Sequence, residues 1–183
     1  NPDGSILIEV SAKNTSDKPV YWDIWFNTRI DGNCRAYVPV DSINDIRTVH
    51  VPGEAIQAMD TEISDGYFSY LPKQPDKSFS ERSSKTYIYP SKAFIATFSK
   101  DKLLIIQFDK YTKAEVHPLQ GMVELYSHTT ADDKDALLEL EYHSPYSVIE
   151  PGSEISSHEV WKIFDYKGTD DPEEQRKFLN SKL

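Results

Sequence analysis

The chain has a single cysteine, Cys34, in 183 residues. That excludes an internal disulfide and a zinc site built on cysteine pairs, and a lone thiol of this kind reads as a small hydrophobe. Clusters of Lys and Arg are missing, and the net charge is −10 with a pI near 4.9. Nucleic acid and an anionic membrane surface are therefore disfavoured as partners. Long apolar runs are absent too. The longest, Leu103-Leu104-Ile105-Ile106, has four residues, against the roughly 20 that a membrane-spanning helix needs, and it reads as a buried strand. The fixed-spacing signatures HExxH, CxxC, GxSxG and the phosphate loop do not occur, so neither a cofactor nor a metal of those types is expected. At the start there is no Met, no basic region and no apolar leader; Asn1-Pro2-Asp3-Gly4-Ser5 is a turn that runs into a strand at Ile6. A mature, trimmed or partial chain is the expectation. The lack of disulfides leaves the compartment open, with a periplasmic or secreted location preferred over a cytoplasmic one.

What is present is a succession of short strands separated by turn residues. Ile6–Lys13, Val20–Arg29 and Arg35–Val40 come first, and residues 41–66 read mostly as loop. Tyr67–Leu71 is a short aromatic strand. Pro72–Ser84 reads as a long loop of the kind that often carries binding function. Strand character resumes at Thr86–Tyr89, then in a hairpin of Ala93–Ser99 and Lys102–Phe108, then in Gly121–Ser127, Ala136–Tyr142 and His158–Phe164. Asp171-Pro172-Glu173-Glu174 opens a terminal helix within 171–183, with a capping acid, Pro at the first position and acids on the positive end of the dipole. The expected fold is all-β, an antiparallel β-sandwich with a short C-terminal helix, in one domain over 1–183.

Two constellations carry chemical information. In Val20–Arg29 the period of 2 sends Asp23, Trp25, Asn27 and Arg29 to one face and Trp22, Ile24, Phe26 and Thr28 to the core. An acid, an indole, an amide and a guanidinium side by side suit a polar, ring-shaped ligand such as a sugar. In Leu138–His143 the same alternation separates Leu138, Leu140 and Tyr142 from Glu139, Glu141 and His143, and Glu124, Tyr126 and His128 share a face of Met122–His128. If those strands are neighbours, carboxylates and histidines gather on one surface. Glu with His suits acid–base work and equally a metal ion; the alternative is the ordinary solvated face of an antiparallel sheet. Tyr67, Tyr70, Tyr87 and Tyr89 are rings for a ligand or for the core. His50 and His117 carry less, and Asn14-Thr15-Ser16 is a formal glycosylation acceptor.

Three segments resemble the galactose mutarotase (aldose 1-epimerase) superfamily and its β-supersandwich relatives. Ile8–Pro19 resembles a strand and turn reading Asn-Thr-[Gly/Ser]-Asp-Lys-Pro. Asp23-Ile24-Trp25-Phe26-Asn27 resembles a His-x-Tyr-Phe-Asn motif. Leu138–Trp161, through Ile149-Glu150-Pro151-Gly152-Ser153-Glu154, resembles a late strand with an essential Glu and the turn into the final strand. The resemblance implies that the chain is the later portion of a longer supersandwich, with an upstream segment or second chain completing it. It also implies a late Glu as base, at Glu139 or Glu141, and an acid at the position that here holds Asp23. That replacement argues against ordinary mutarotase activity, because an Asp serves as the acid only with a strongly raised pKa.

Three functions follow as expectations. One is a carbohydrate-binding protein with Trp25 stacking on a sugar or oligosaccharide and Asn27, Arg29, Glu124 and Tyr126 among the binding groups. Another is a sugar-modifying enzyme with Glu141 or Glu139 as base and Asp23 or His143 as acid. The third is a structural or interaction domain. Burial of Trp25 among apolar neighbours would favour the last.

Overall fold

Alternation along one strand divides the molecule. Leu138, Leu140 and Tyr142 lie in the interior, and Glu139, Glu141 and His143 stand on the opposite side of the same strand. The computed structural model describes residues 3–49, 56–71, 76–132 and 136–183. In chain order its strands are β1 (Ile6–Lys13), β2 (Val20–Trp22), β3 (Trp25–Asp31), β4 (Arg35–Pro39), β5 (Ile46–Val49), β6 (Ile56–Gln57), β7 (Thr61–Ser64), β8 (Tyr67–Tyr70), β9 (Glu81–Ile88), β10 (Phe94–Ser99), β11 (Lys102–Phe108), β12 (Val123–Thr130), β13 (Leu137–His143), β14 (Ser147–Ile149) and β15 (Glu154–Asp165), followed by helix α1 (Pro172–Asn180).

One sheet runs β1-β15-β11-β10-β4-β8-β7, a second runs β3-β13-β12-β9-β5 with β6 beside β9, and β14 pairs with β2 in a separate ribbon. The pairings are antiparallel except β6 with β9. The two large sheets enclose one core. Phe26, Ile88, Leu125, Leu140 and Tyr142 from one side meet Val38, Phe68, Tyr70, Ile106 and Phe108 from the other. The outer face of the first sheet is apolar as well: Tyr37, Phe94, Phe98, Leu103 and Ile105 form a second cluster with Leu179 of α1. The helix begins where its cap is, since the Asp171 side chain accepts from the Glu174 N–H at 2.9 Å and Pro172 follows it. The outer face of the second sheet is the polar one.

The all-β sandwich with a terminal helix is as expected, and several boundaries differ. Val20–Arg29 is two strands, broken at Asp23-Ile24, and Trp22 turns outward, 64% exposed, because β2 leaves the sheet to pair with β14. Residues 41–66 contain β5, β6 and β7 as well as loop. Within Pro72–Ser84, residues Glu81–Ser84 belong to β9. The Asn14 amide is buried and donates to the Lys18 and Ile149 carbonyls, each at 2.8 Å, so it is a structural anchor and closed to glycosylation. Its backbone joins the Ile8–Pro19 segment to the turn that enters the final strand: Asn14 N donates to Ser153 O and Gly152 N to Asn14 O, both at 2.9 Å. Asn1-Pro2, His50, Pro52-Gly53 and the first four residues of Pro72–Ser84 lie outside the described residues.

Candidate functional site

Register assembles the site. On the outer face of the second sheet, Trp25 of β3 stands opposite His143 of β13, Asn27 opposite Glu141, and Arg29 opposite Glu139. Across the next pairing Glu141 meets Glu124 and Glu139 meets Tyr126. β9 then adds Tyr87 opposite Glu124, and Lys85 opposite Tyr126. Neighbouring strands therefore bring the predicted carboxylates and His143 together; His128 lies further along the same face, outside this bonded cluster.

Glu141 is the hub. Its Oε2 accepts the Trp25 indole N–H at 2.7 Å, and its Oε1 accepts from Lys85 Nζ at 2.6 Å. Lys85 also reaches Glu124 Oε2 at 2.8 Å, and Glu124 Oε1 accepts the Gly121 N–H at 2.9 Å. Glu139 takes Arg29, in a pair that is exposed on the arginine side. Glu124, Glu141 and His143 are all buried, so this is not the solvated face of an ordinary sheet. Burial raises the carboxyl of Glu141 above its usual range, with the Lys85 hydrogen bond opposing. Burial alone would lower the Lys85 ammonium, but its hydrogen bonds to Glu124 and Glu141 outweigh that and raise it.

Asp23 reaches the same place from the break between β2 and β3. Its Oδ2 lies 2.8 Å from His143 Nδ1. The break is fixed by a two-way exchange: Ile24 N donates to Ser144 Oγ at 2.8 Å and Ser144 N to Ile24 O at 2.9 Å. With Nδ1 held by a carboxylate, the other ring nitrogen of His143, Nε2, is buried and has no hydrogen-bond partner among the described residues; it lies 3.6 Å from Glu124 Oε1. The Trp25 ring lies nearly parallel to this imidazole, 13° apart with centroids at 6.2 Å, and remains 55% exposed. Trp25 is therefore not packed among apolar neighbours. Tyr67 and Tyr70, by contrast, are core residues.

Ligand atoms of Glu124, Glu141 and His143 lie within 4.8 Å of one another. Together with a carboxylate behind the histidine, that is a set a divalent ion can use. Lys85 already bridges both carboxylates, so an ion there has to displace its ammonium.

The model of the family described as "Domain of unknown function (DUF4380)" matches residues 1–164. The chain belongs to this family. No curated protein matches it. Among solved structures, one from Klebsiella pneumoniae described as a "putative aldose 1-epimerase" shares the fold, with a TM-score of 0.56 and 15% identity over 97% of this chain and 46% of that one. Slr1438 from Synechocystis sp. PCC 6803 aligns at a TM-score of 0.48 with 15% identity, over 88% of this chain and 51% of its own. The DUF4380 chain thus spans about half the length of these structures. The mutarotase-like fold read from its motifs is present.

Lys85 is the site residue that sequence reasoning missed. It falls between the expected loop, which ends at Ser83-Ser84, and the expected strand, which starts at Thr86, yet Ser83, Ser84 and Thr86 are all buried in β9. The available signal was its alternation with Tyr87. Arg47 of β5, stacked over Tyr87 at 4.0 Å, was missed because its strand read as loop.

Proposed function

We propose that the outer face of the β3-β13-β12-β9 sheet binds a carbohydrate. The observation that carries this reading is the posture of Trp25. Its edge is tied to Glu141, its ring is more than half exposed, and Asn27 and the Arg29–Glu139 pair lie beside it on β3 and β13. Sugars present C–H faces that pack on such a ring and hydroxyls that need planar polar partners. The shared fold with the Klebsiella structure supports the same reading. Calorimetry across mono- and oligosaccharides, with wild type and Trp25→Ala, tests it: heat of binding that is lost in the variant is expected, and no response to any sugar overturns it.

A specific observation favours a second reading, in which the bound sugar is also chemically changed. Burial raises the Glu141 carboxyl against the two hydrogen bonds its oxygens accept, which suits a carboxylate base, and His143 offers an Nε2 without a hydrogen-bond partner among the described residues, with Asp23 behind it. In ring opening, Glu141 would take the proton of the anomeric hydroxyl, and the imidazolium of His143 would give one to the ring oxygen. Asp23 would then be the positioning partner of the acid. A polarimetric mutarotation assay of wild type, Glu141→Gln and His143→Gln decides this reading; equal rates for all three remove it and leave binding alone.

A further inference from the structure

The hollow next to the bonded cluster has a different electrostatic character from the cluster itself. A cavity of about 260 Å³ at the β9–β5 end of the same face is lined by Arg47, Tyr87, Tyr89, Lys113, His117 and Gly121, among others. It borders the cluster. Asn27, Glu141, Glu124, Tyr87 and Arg47 are successive register partners across the sheet, and the Gly121 N–H that lines the hollow is the one that holds Glu124. From the strand of Glu141 to that of Arg47 is three strand spacings, about 14 Å, more than a single sugar ring covers.

Along that row the fixed charge changes sign. Glu141 and Glu124 are satisfied by Lys85, whereas Arg47 has no carboxylate partner among the described residues. Its guanidinium is fixed in place all the same. It lies 4.0 Å above the centre of the Tyr87 ring, and Nη2 donates to Leu119 O at 3.0 Å. Lys113 lies 5.0 Å over the Tyr89 ring and is paired with Asp45. A preorganised guanidinium without a carboxylate partner among the described residues is, in a chain of net charge −10, a place where an anion is favoured locally against a field that otherwise repels it.

We propose that this hollow is a second subsite of the carbohydrate site and holds the carboxylate of a uronic-acid unit, so that the ligand is an acidic oligosaccharide. The proposal rests on the carbohydrate reading above and extends it. Arg47 supplies the charge and the planar donors, Tyr87 the ring beneath them, and Trp25, two residues from Asn27 on β3, the platform beside the other end of the row.

The test is calorimetry with a panel of trimeric oligouronides, their methyl esters and sulfated neutral trisaccharides, on wild type, Arg47→Met and Trp25→Ala. At least one free acid is expected to bind about tenfold or more tighter than its own ester. That gap should close in Arg47→Met and shrink with added salt, as a charge-assisted contact must. Arg47 is exposed, so the melting temperature of Arg47→Met reports whether the fold is intact. Acid and ester binding equally well, with Trp25 required for both, overturns the anionic subsite and leaves the carbohydrate site standing. Tighter Arg47-dependent binding of a sulfated sugar overturns the uronate assignment. No binding of any member overturns both.

Discussion

The indole N–H of Trp25 and the carboxylate of Glu141 meet at 2.7 Å across the β3–β13 pairing, so the exposed ring and the buried acid form one unit. Two substitutions separate the roles of the ring and the N–H. Trp25→Ala removes both and should weaken sugar binding at least about tenfold, or roughly 1.4 kcal/mol. Trp25→Phe keeps a ring but leaves Glu141 with one donor fewer. It should retain most of the affinity while costing about 1 kcal/mol of stability. Calorimetry for the first quantity and denaturant unfolding for the second make the comparison.

Glu141 should also leave a pH signature. Its carboxyl is raised by burial in the folded chain and returns to the ordinary value on unfolding. The native state therefore holds that proton to higher pH than the unfolded state does, and stability falls as pH rises from the usual Glu range through the raised value. Glu141→Gln resembles the protonated acid and does not titrate. The melting temperature of wild type minus that of Glu141→Gln is expected to decline as pH rises through this window and then to level off. A difference that rises over the same window contradicts the assignment.

The parts of this site that sequence could reveal are those set by local alternation. Glu139, Glu141 and His143 against Leu138, Leu140 and Tyr142 is a pattern complete within a single strand, and the exposure of Trp25 between Ile24 and Phe26 is just as local in sequence. The helix start was legible because its cap lies within three residues. What stayed hidden depends on distant partners. The break at Asp23-Ile24 is held by Ser144, 120 residues away, and without that exchange a continuous strand is the simpler reading. The first half of β9 looks like loop because Ser83 and Ser84 are small and polar, and strand character is legible only from Thr86 onward. Inside, such side chains are tolerated where they bond across the core: Ser84 Oγ accepts Met59 N at 3.0 Å and Thr86 Oγ1 lies 2.7 Å from Tyr70 Oη.

Ser144 is accordingly a positioning residue whose loss should be felt at His143. In Ser144→Ala the buried Ile24 N–H has no acceptor, which costs about 1–3 kcal/mol. Asp23, immediately before it, loses the turn that presents it to the imidazole. The expected outcome is a lower melting temperature together with displaced His143 ring-proton resonances in the NMR spectrum. Ser144→Thr keeps the hydroxyl and should restore those resonances even if it packs less well. Ring-proton resonances unchanged in Ser144→Ala would show that Asp23 holds its place without the exchange.

Gly121 should be irreplaceable for a reason of space. A Cβ there would stand 2.6 Å from Val123 O, 2.7 Å from Ile88 N and 3.1 Å from Tyr87 Cα. All three are backbone atoms of β12 and β9, so relief requires the two strands to part. Gly121→Ala is expected to cost about 2 kcal/mol, a fall in melting temperature of roughly 4–8 °C for a domain of this size. Gly152 is the contrasting case: its φ is +79°, and a Cβ added there would meet nothing within 4 Å. Gly152→Ala fails only by backbone conformation, at about 1 kcal/mol. The two differ most at the binding face. Parting β12 from β9 displaces Glu124 from the Gly121 N–H and Tyr87 from its place under Arg47, so Gly121→Ala should lower sugar affinity in the residual folded protein. Gly152→Ala, in a turn beside Asn14, should leave affinity unchanged. Binding measured well below each variant's melting temperature separates these outcomes.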